Sequence, residues 1–182
     1  NIIAMGLVDE YENIKAAAAI WIPGEFGMLS VADMLTGEIN PSGRLADTVA
    51  YNVSDHPSGV CFGTNEYDGG EYYVEYLEGI YVGYRYFETF AKDKVQYPFG
   101  YGLSFTEFKQ ELVDYSFDDG KVTATVKVTN TGDVAGKETV QLYYSAPYYN
   151  GGIEKSEICL GGYDKTKLLA PNESQILTVS FD

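Results

Sequence analysis

Between Val122 and Thr129 the residues alternate without a break. Val122, Ala124, Val126 and Val128 take one side, and Thr123, Thr125, Lys127 and Thr129 take the other. Side chains of a strand point alternately to its two faces, so this stretch reads as a half-buried strand. Asn130-Thr131-Gly132-Asp133 follows as a turn signal. Val140, Leu142 and Tyr144 then share one face of a second strand, and Leu177, Val179 and Phe181 one face of a third. Strands separated by Gly, Asn and Pro turns predict a small antiparallel β-sandwich over 108–182. That sandwich is expected to be incomplete, with an edge open to another segment.

The first third of the chain has a different rhythm. Ile14 to Ile22 is a short apolar run without alternation, the pattern of a strand covered on both faces in a parallel sheet. Pro23-Gly24 breaks it. Met28, Val31, Ala32 and Leu35 then follow helical spacing with one face to bury, and Gly37 stands where a C-cap glycine belongs. Residues 14–37 therefore predict a β-loop-α unit, the final piece of a larger α/β layer. The expected fold class is α/β plus all-β. The expected divisions are 1–57 (end of an α/β sandwich), 58–107 (an aromatic, Gly-rich connecting segment) and 108–182 (the β-sandwich). The connecting segment is too long and too aromatic for a disordered linker, and its rings are expected to be buried against neighbouring domains.

The formal charge of −15 disfavours binding to phosphate backbones, so no nucleic-acid partner is expected. No apolar run approaches the roughly 18 residues of a membrane-spanning helix, and no membrane partner is expected. Cys61 and Cys159 lie far apart, and His56 is the single histidine; neither pattern suggests a disulfide framework or a metal site. Seventeen Tyr and nine Phe exceed what a plain core requires. Tyr joins a flat apolar face to a hydroxyl, which suits both interfaces and sugar rings, although β-rich folds also collect it. The only arginines, Arg44 and Arg85, carry planar forks that can tie carboxylates or carbonyls across a junction. For both, a structural clamp is preferred to a substrate role.

Several landmarks occur in order. Pro23-Gly24-Glu25-Phe26-Gly27 is followed by Ala32-Asp33-Met34-Leu35-Thr36-Gly37 and Asn40-Pro41-Ser42-Gly43-Arg44-Leu45. Glu78-Gly79-Ile80-Tyr81-Val82-Gly83-Tyr84-Arg85-Tyr86-Phe87 and Tyr97-Pro98-Phe99-Gly100-Tyr101-Gly102-Leu103-Ser104 come next. Together they resemble family 3 glycoside hydrolases of the β-glucosidase type. Val128 to Gly132 and Ala135 to Tyr143 resemble the fibronectin type III-like domain of that family.

The resemblance implies a fragment of a retaining enzyme that releases terminal β-linked glucose or xylose from oligosaccharides or glycosides. Such chemistry uses two carboxyl groups roughly 5–5.5 Å apart and needs no cofactor. In the family the nucleophilic Asp belongs to a Ser-Asp-Trp-like motif in a (β/α)8 barrel, and the acid/base Glu lies upstream of the Pro-Gly loop. The Ser-Asp-Trp motif does not occur here. No residue of this chain is therefore assigned a catalytic role. The expected partners are a β-glucoside or oligosaccharide and a catalytic barrel, in the same chain (before or after this segment) or in a companion chain, with a homodimer as a further option. The alternative function is a non-catalytic carbohydrate- or protein-binding β-sandwich module. The compartment, cytoplasmic or secreted, stays open.

Three residues are singled out for substrate contact. Trp21 and Glu25 sit where a buried strand would meet a helix, and ligands of open α/β sheets bind beyond strand carboxyl ends. Glu25 has a competing role, because an acid in a first helical turn is favoured by the helix dipole. Tyr72, in the aromatic acidic loop from Glu66 to Tyr73, could stack on a sugar or glue domains together.

Overall fold

The computed structural model describes residues 4–60, 65–66 and 69–182; Cys61, Tyr67 and Asp68 lie outside them. Along the chain run α1 (Leu7–Glu10), α2 (Gly24–Thr36), β1 (Val49–Ala50), β2 (Asn65–Glu66), β3 (Tyr72–Tyr73), α3 (Tyr84–Phe90) and β4 (Val95–Tyr97). The five later strands are β5 (Phe108–Asp118), β6 (Lys121–Asn130), β7 (Thr139–Tyr144), β8 (Cys159–Lys165) and β9 (Ser174–Phe181). The fold is mostly β with few helices. Two compact units interleave in sequence. One takes the described residues of 1–19, 45–101 and 145–159, the other 20–44, 102–144 and 160–182.

The second unit holds the larger core. β5 and β6 form an antiparallel hairpin whose register runs from Phe108↔Asn130 to Asp118↔Lys121. The two loop residues, Asp119 and Gly120, both have positive φ, +48° and +79°. Asp-Gly with two positive φ values is the turn whose twist matches that of a hairpin. β9 pairs antiparallel with the other edge of β6, giving the order β5-β6-β9. β7 and β8 pair with each other and cover that sheet from one side. Val126, Val128, Val140, Leu169, Leu177 and Val179 form the core, with Phe108 and Leu142 against it. Each such side chain contributes roughly 1.5–3 kcal/mol on burial. β8 comes so near β9 that a Cβ on Gly161 would lie 2.3 Å from the Phe181 ring. The alternation read between Val122 and Thr129 is borne out, as are the strands at Val140–Tyr144 and Leu177–Phe181.

The cover is partial. Tyr115 stands opposite Ala124 and Phe117 opposite Val122, so both point to the core side of the sheet. Both are exposed, as is Leu112 opposite Val126.

A fully buried polar residue organises one end of this core. Asn130 Oδ1 accepts from Thr106 Oγ1 (2.7 Å) and from the Gly132 amide (3.1 Å). Its Nδ2 donates to the carbonyls of Val134 (2.8 Å) and Leu169 (3.0 Å). One side chain thereby closes the turn after β6 and ties it to two distant segments. Buried amides persist only when satisfied in this way.

In the first unit β1 pairs with β4, and β2 with β3. Ala50, Phe87 and Ala91 form a small core, with Tyr86 and Val95 against it. Aromatic pairs extend it: Tyr84–Phe99 at 4.9 Å and Tyr97–Tyr101 at 5.0 Å between ring centroids. Many rings of the connecting segment thus pack on one another. Tyr72, Tyr76 and Leu77 stay exposed.

The expected strand at Ile14–Ile22 does not form; this stretch is irregular and mostly exposed. A strand needs a partner, and no described strand pairs with it. The expected helix does form as α2, and Gly37 caps it at φ +84° with its amide on the Met34 carbonyl (3.2 Å). Its apolar face, however, is not buried: Met28 and Leu35 are exposed, with Phe26 and Leu29 beside them. Local spacing suffices for the helix, whereas burial needs a covering layer that the described residues do not supply.

Candidate functional site

The approach to α2 is a bent loop. Trp21 has φ +45°, rare for a bulky residue, and Gly24 follows at φ +72°. The Trp21 ring is left 52% exposed. Glu25 is exposed in the first turn of α2, where the helix dipole favours an acid by roughly 0.3–1 kcal/mol. Trp21 and Glu25 therefore flank the entry to one helix. Tyr72 belongs to the other compact unit, in β3 opposite Glu66, and is 69% exposed. Among the described residues no cluster of three or more His, Cys, Asp and Glu side chains could hold a metal ion.

The best-built polar constellation gathers around residues 40–44, which belong to the second unit. Asn40 Oδ1 accepts from Ser104 Oγ (3.0 Å) and the Phe105 amide (2.8 Å), while its Nδ2 donates to the Ala135 carbonyl (3.0 Å). Four residues on, Arg44 Nη2 makes two bonds to the Glu138 carboxylate, 2.9 and 2.8 Å, with both side chains 14% exposed. Arg44 Nη1 also donates to the Gly102 carbonyl. Gly102 is needed there, because a Cβ would lie 2.4 Å from the Gly43 carbonyl oxygen. The motif is thus riveted onto 102–138 by an amide and a guanidinium. The clamp role expected of Arg44 is what the geometry shows.

Lys165 completes the cluster, donating from Nζ to the Ser42 carbonyl (2.6 Å). Burial, reinforced by the charges of Arg44 and Lys137, pulls its amine below the usual lysine range, and Glu138 opposes this. The partners Glu138 and Lys165 were not singled out in the sequence. The one available signal was that Glu138 and Arg44 both fall inside motifs.

Arg85 lies on α3 in the first unit, and its Nε is buried without a hydrogen-bond partner among the described residues. No carboxylate clamp is seen for it there. Its neighbour in the motif, Tyr81, donates to Glu154, and this bond chiefly holds its hydroxyl protonated, with the pKa pushed up to about 12.

Comparison with known proteins gives this geometry a context. Residues 1–105 match the glycosyl hydrolase family 3 C-terminal domain. A β-glucosidase of Ruminococcus albus is 47% identical over 179 residues, covering 98% of this chain and 18% of its own length. β-Glucosidase A of Butyrivibrio fibrisolvens is 46% identical over 186 residues, covering 93% of this chain and 22% of its own. Among solved structures, a β-glucosidase from Paenibacillus barengoltzii superimposes with a TM-score of 0.77 at 46% identity, covering 85% of this chain and 16% of its own. The chain spans about a fifth of the length of these relatives. By its motifs, their order and this match, the chain belongs to the glycosyl hydrolase family 3 C-terminal domain.

Proposed function

We propose that this chain is a fragment of a retaining β-glucosidase-type glycoside hydrolase, acting on terminal β-linked glucose or xylose. The observation that carries the reading is similarity to β-glucosidases along nearly the whole chain. The chain's role in that enzyme is to scaffold. The Asn40 and Arg44 contacts fix the loop after α2 to the β-rich part, and a catalytic barrel elsewhere in the enzyme supplies the carboxylate pair.

Within this reading residues 1–57 are the end of an α/β sandwich, 58–107 connect, and 108–182 are a fibronectin type III-like sandwich. The exposed apolar face of α2 is then where the remaining α/β layer lies. The uncovered side of β5, with Tyr115 and Phe117, is where further sandwich strands lie. Trp21 and Glu25 in one unit, and Tyr72 in the other, are each proposed as substrate contacts; their exposure supports this, since none is consumed by a local core.

The test compares the complete protein with the isolated 182-residue chain on an aryl β-glucoside. The complete protein should hydrolyse it with retention, and the isolated chain should not. Turnover by the isolated chain, or none by the complete protein on either glucoside or xyloside, would sink the reading. Sedimentation of the complete protein reads whether two copies associate.

A further inference from the structure

The segment 145–159 and the region of α3 enclose a cleft of about 510 Å³ that the scaffold role does not use. All of its lining belongs to the first compact unit. The cleft is held open by directed bonds. Tyr81 Oη donates to the Glu154 carboxylate and lies 3.3 Å from the Lys155 carbonyl. Thr89 Oγ1 accepts from the Glu157 amide at 3.0 Å, and Lys155 Nζ donates to the Pro147 carbonyl at 2.7 Å. The segment is thereby tied near both ends of α3 and within itself. Such preformed walls are the usual condition for a ligand site, and the volume falls in the range typical of one.

The walls also have a chemistry. Phe90 packs edge-on against Tyr81, centroids 4.8 Å apart at 65°, yet stays 61% exposed, and Tyr148 is 52% exposed. Two ring surfaces thus remain open at the cleft. Ionised Glu154 can only accept hydrogen bonds, and Lys155 is already engaged by Pro147. Anions are repelled by Glu154 and Glu157 in a chain of net charge −15. The Lys155 ammonium offsets one of the two carboxylates, Glu154 and Glu157, so the lining does not require a full cation to balance it. A neutral polyol ring fits both demands: its hydroxyls donate to the carboxylate and its C–H faces lie on the aromatic rings.

We propose that this cleft binds a neutral saccharide unit, gripped by the rings of Phe90 and Tyr148 and hydrogen-bonded to Glu154. The choice of sugar rests on the glycosidase reading, which puts oligosaccharides around the protein.

The test uses the complete protein. Hydrolysis of an aryl β-glucoside is measured first and judges the glycosidase reading by itself. The protein is then labelled at its nucleophile with a 2-deoxy-2-fluoroglucoside, so that the reactive pocket is filled. Cellobiose and cellotetraose are titrated calorimetrically into labelled wild type, Phe90→Ala and Tyr148→Ala. Both residues are exposed, and unchanged melting temperatures verify folding. Millimolar binding to labelled wild type, weakened about tenfold by each substitution, supports the site. No binding to labelled wild type overturns it, as does binding that neither substitution alters. Tighter binding of a lysyl peptide than of either sugar, lost in the same variants, also overturns the saccharide assignment.

Discussion

Asn130→Ala removes a side chain that makes four hydrogen bonds in a fully buried position. The four partners do not suffer equally. Gly132 and Val134 lie in a partly exposed turn, where water can replace the lost bonds. The Leu169 carbonyl keeps a second donor, the Gly136 amide at 3.0 Å. Thr106 is buried, and the bond to Asn130 is the one its Oγ1 makes among the described residues. A buried group left bare costs roughly 1–3 kcal/mol, and a replaceable bond roughly 0.5–1.5 kcal/mol. The expected loss for the unit is therefore about 3 kcal/mol. Hydrogen exchange reads it in the right place: the core amides of Val126, Val128 and Leu177 should exchange about 100-fold faster in the complete protein. Asn130→Asp should be at least as harmful, because a carboxylate cannot donate to the Val134 and Leu169 carbonyls. Gln110→Ala is the control, since it removes only an exposed 3.4 Å bond and should change exchange little. Asn130→Ala within about 0.5 kcal/mol of wild type would refute the view that this amide organises the core.

Glu138→Gln leaves the Arg44 guanidinium largely buried without its charge partner, and should destabilise the second unit by about 2–3 kcal/mol in the same exchange assay. Arg44→Lys keeps the charge but loses the two-pronged fit, so it should recover only part of the stability that Arg44→Ala loses. Tyr81 should titrate near 12 by ultraviolet difference absorbance, and Glu154→Gln should bring it back towards the ordinary tyrosine value of 10.0. Its folded pKa is raised, so its contribution to stability is full below about pH 10 and is lost as pH rises through about 12. An unshifted titration of Tyr81 in wild type would mean that the bond to Glu154 does not persist in solution.

How far the sequence could be read depended on the range of each interaction. α2 and its Gly37 cap were legible because every element of the signal lies within a few turns of chain. The same periodicity misled about burial, since spacing specifies a face but not what covers it. Ile14 to Ile22 carries the composition of a covered strand, yet composition cannot provide the neighbour to which its amides would bond. At the candidate site, Trp21 and Glu25 were found as the two ends of a loop, and Tyr72 as part of an aromatic run. Arg44 was noticed because arginine is scarce; its partner Glu138 also falls inside a motif, but it lies 94 positions away and nothing in the motif marks it, among 27 acids, as the one that meets Arg44.

By itself, then, the sequence determined the family, the alternating strand at Val122–Thr129 and the helix before Gly37. These depend on motif order and on the fixed periods of strand and helix. Tertiary structure alone decided that Thr106 and Leu169 meet on Asn130, that Arg44 grips Glu138, and that Tyr81 reaches Glu154. Such pairings join residues far apart along the chain. They arise only when strand register and loop closure bring particular atoms within bonding distance, and no local pattern encodes that distance.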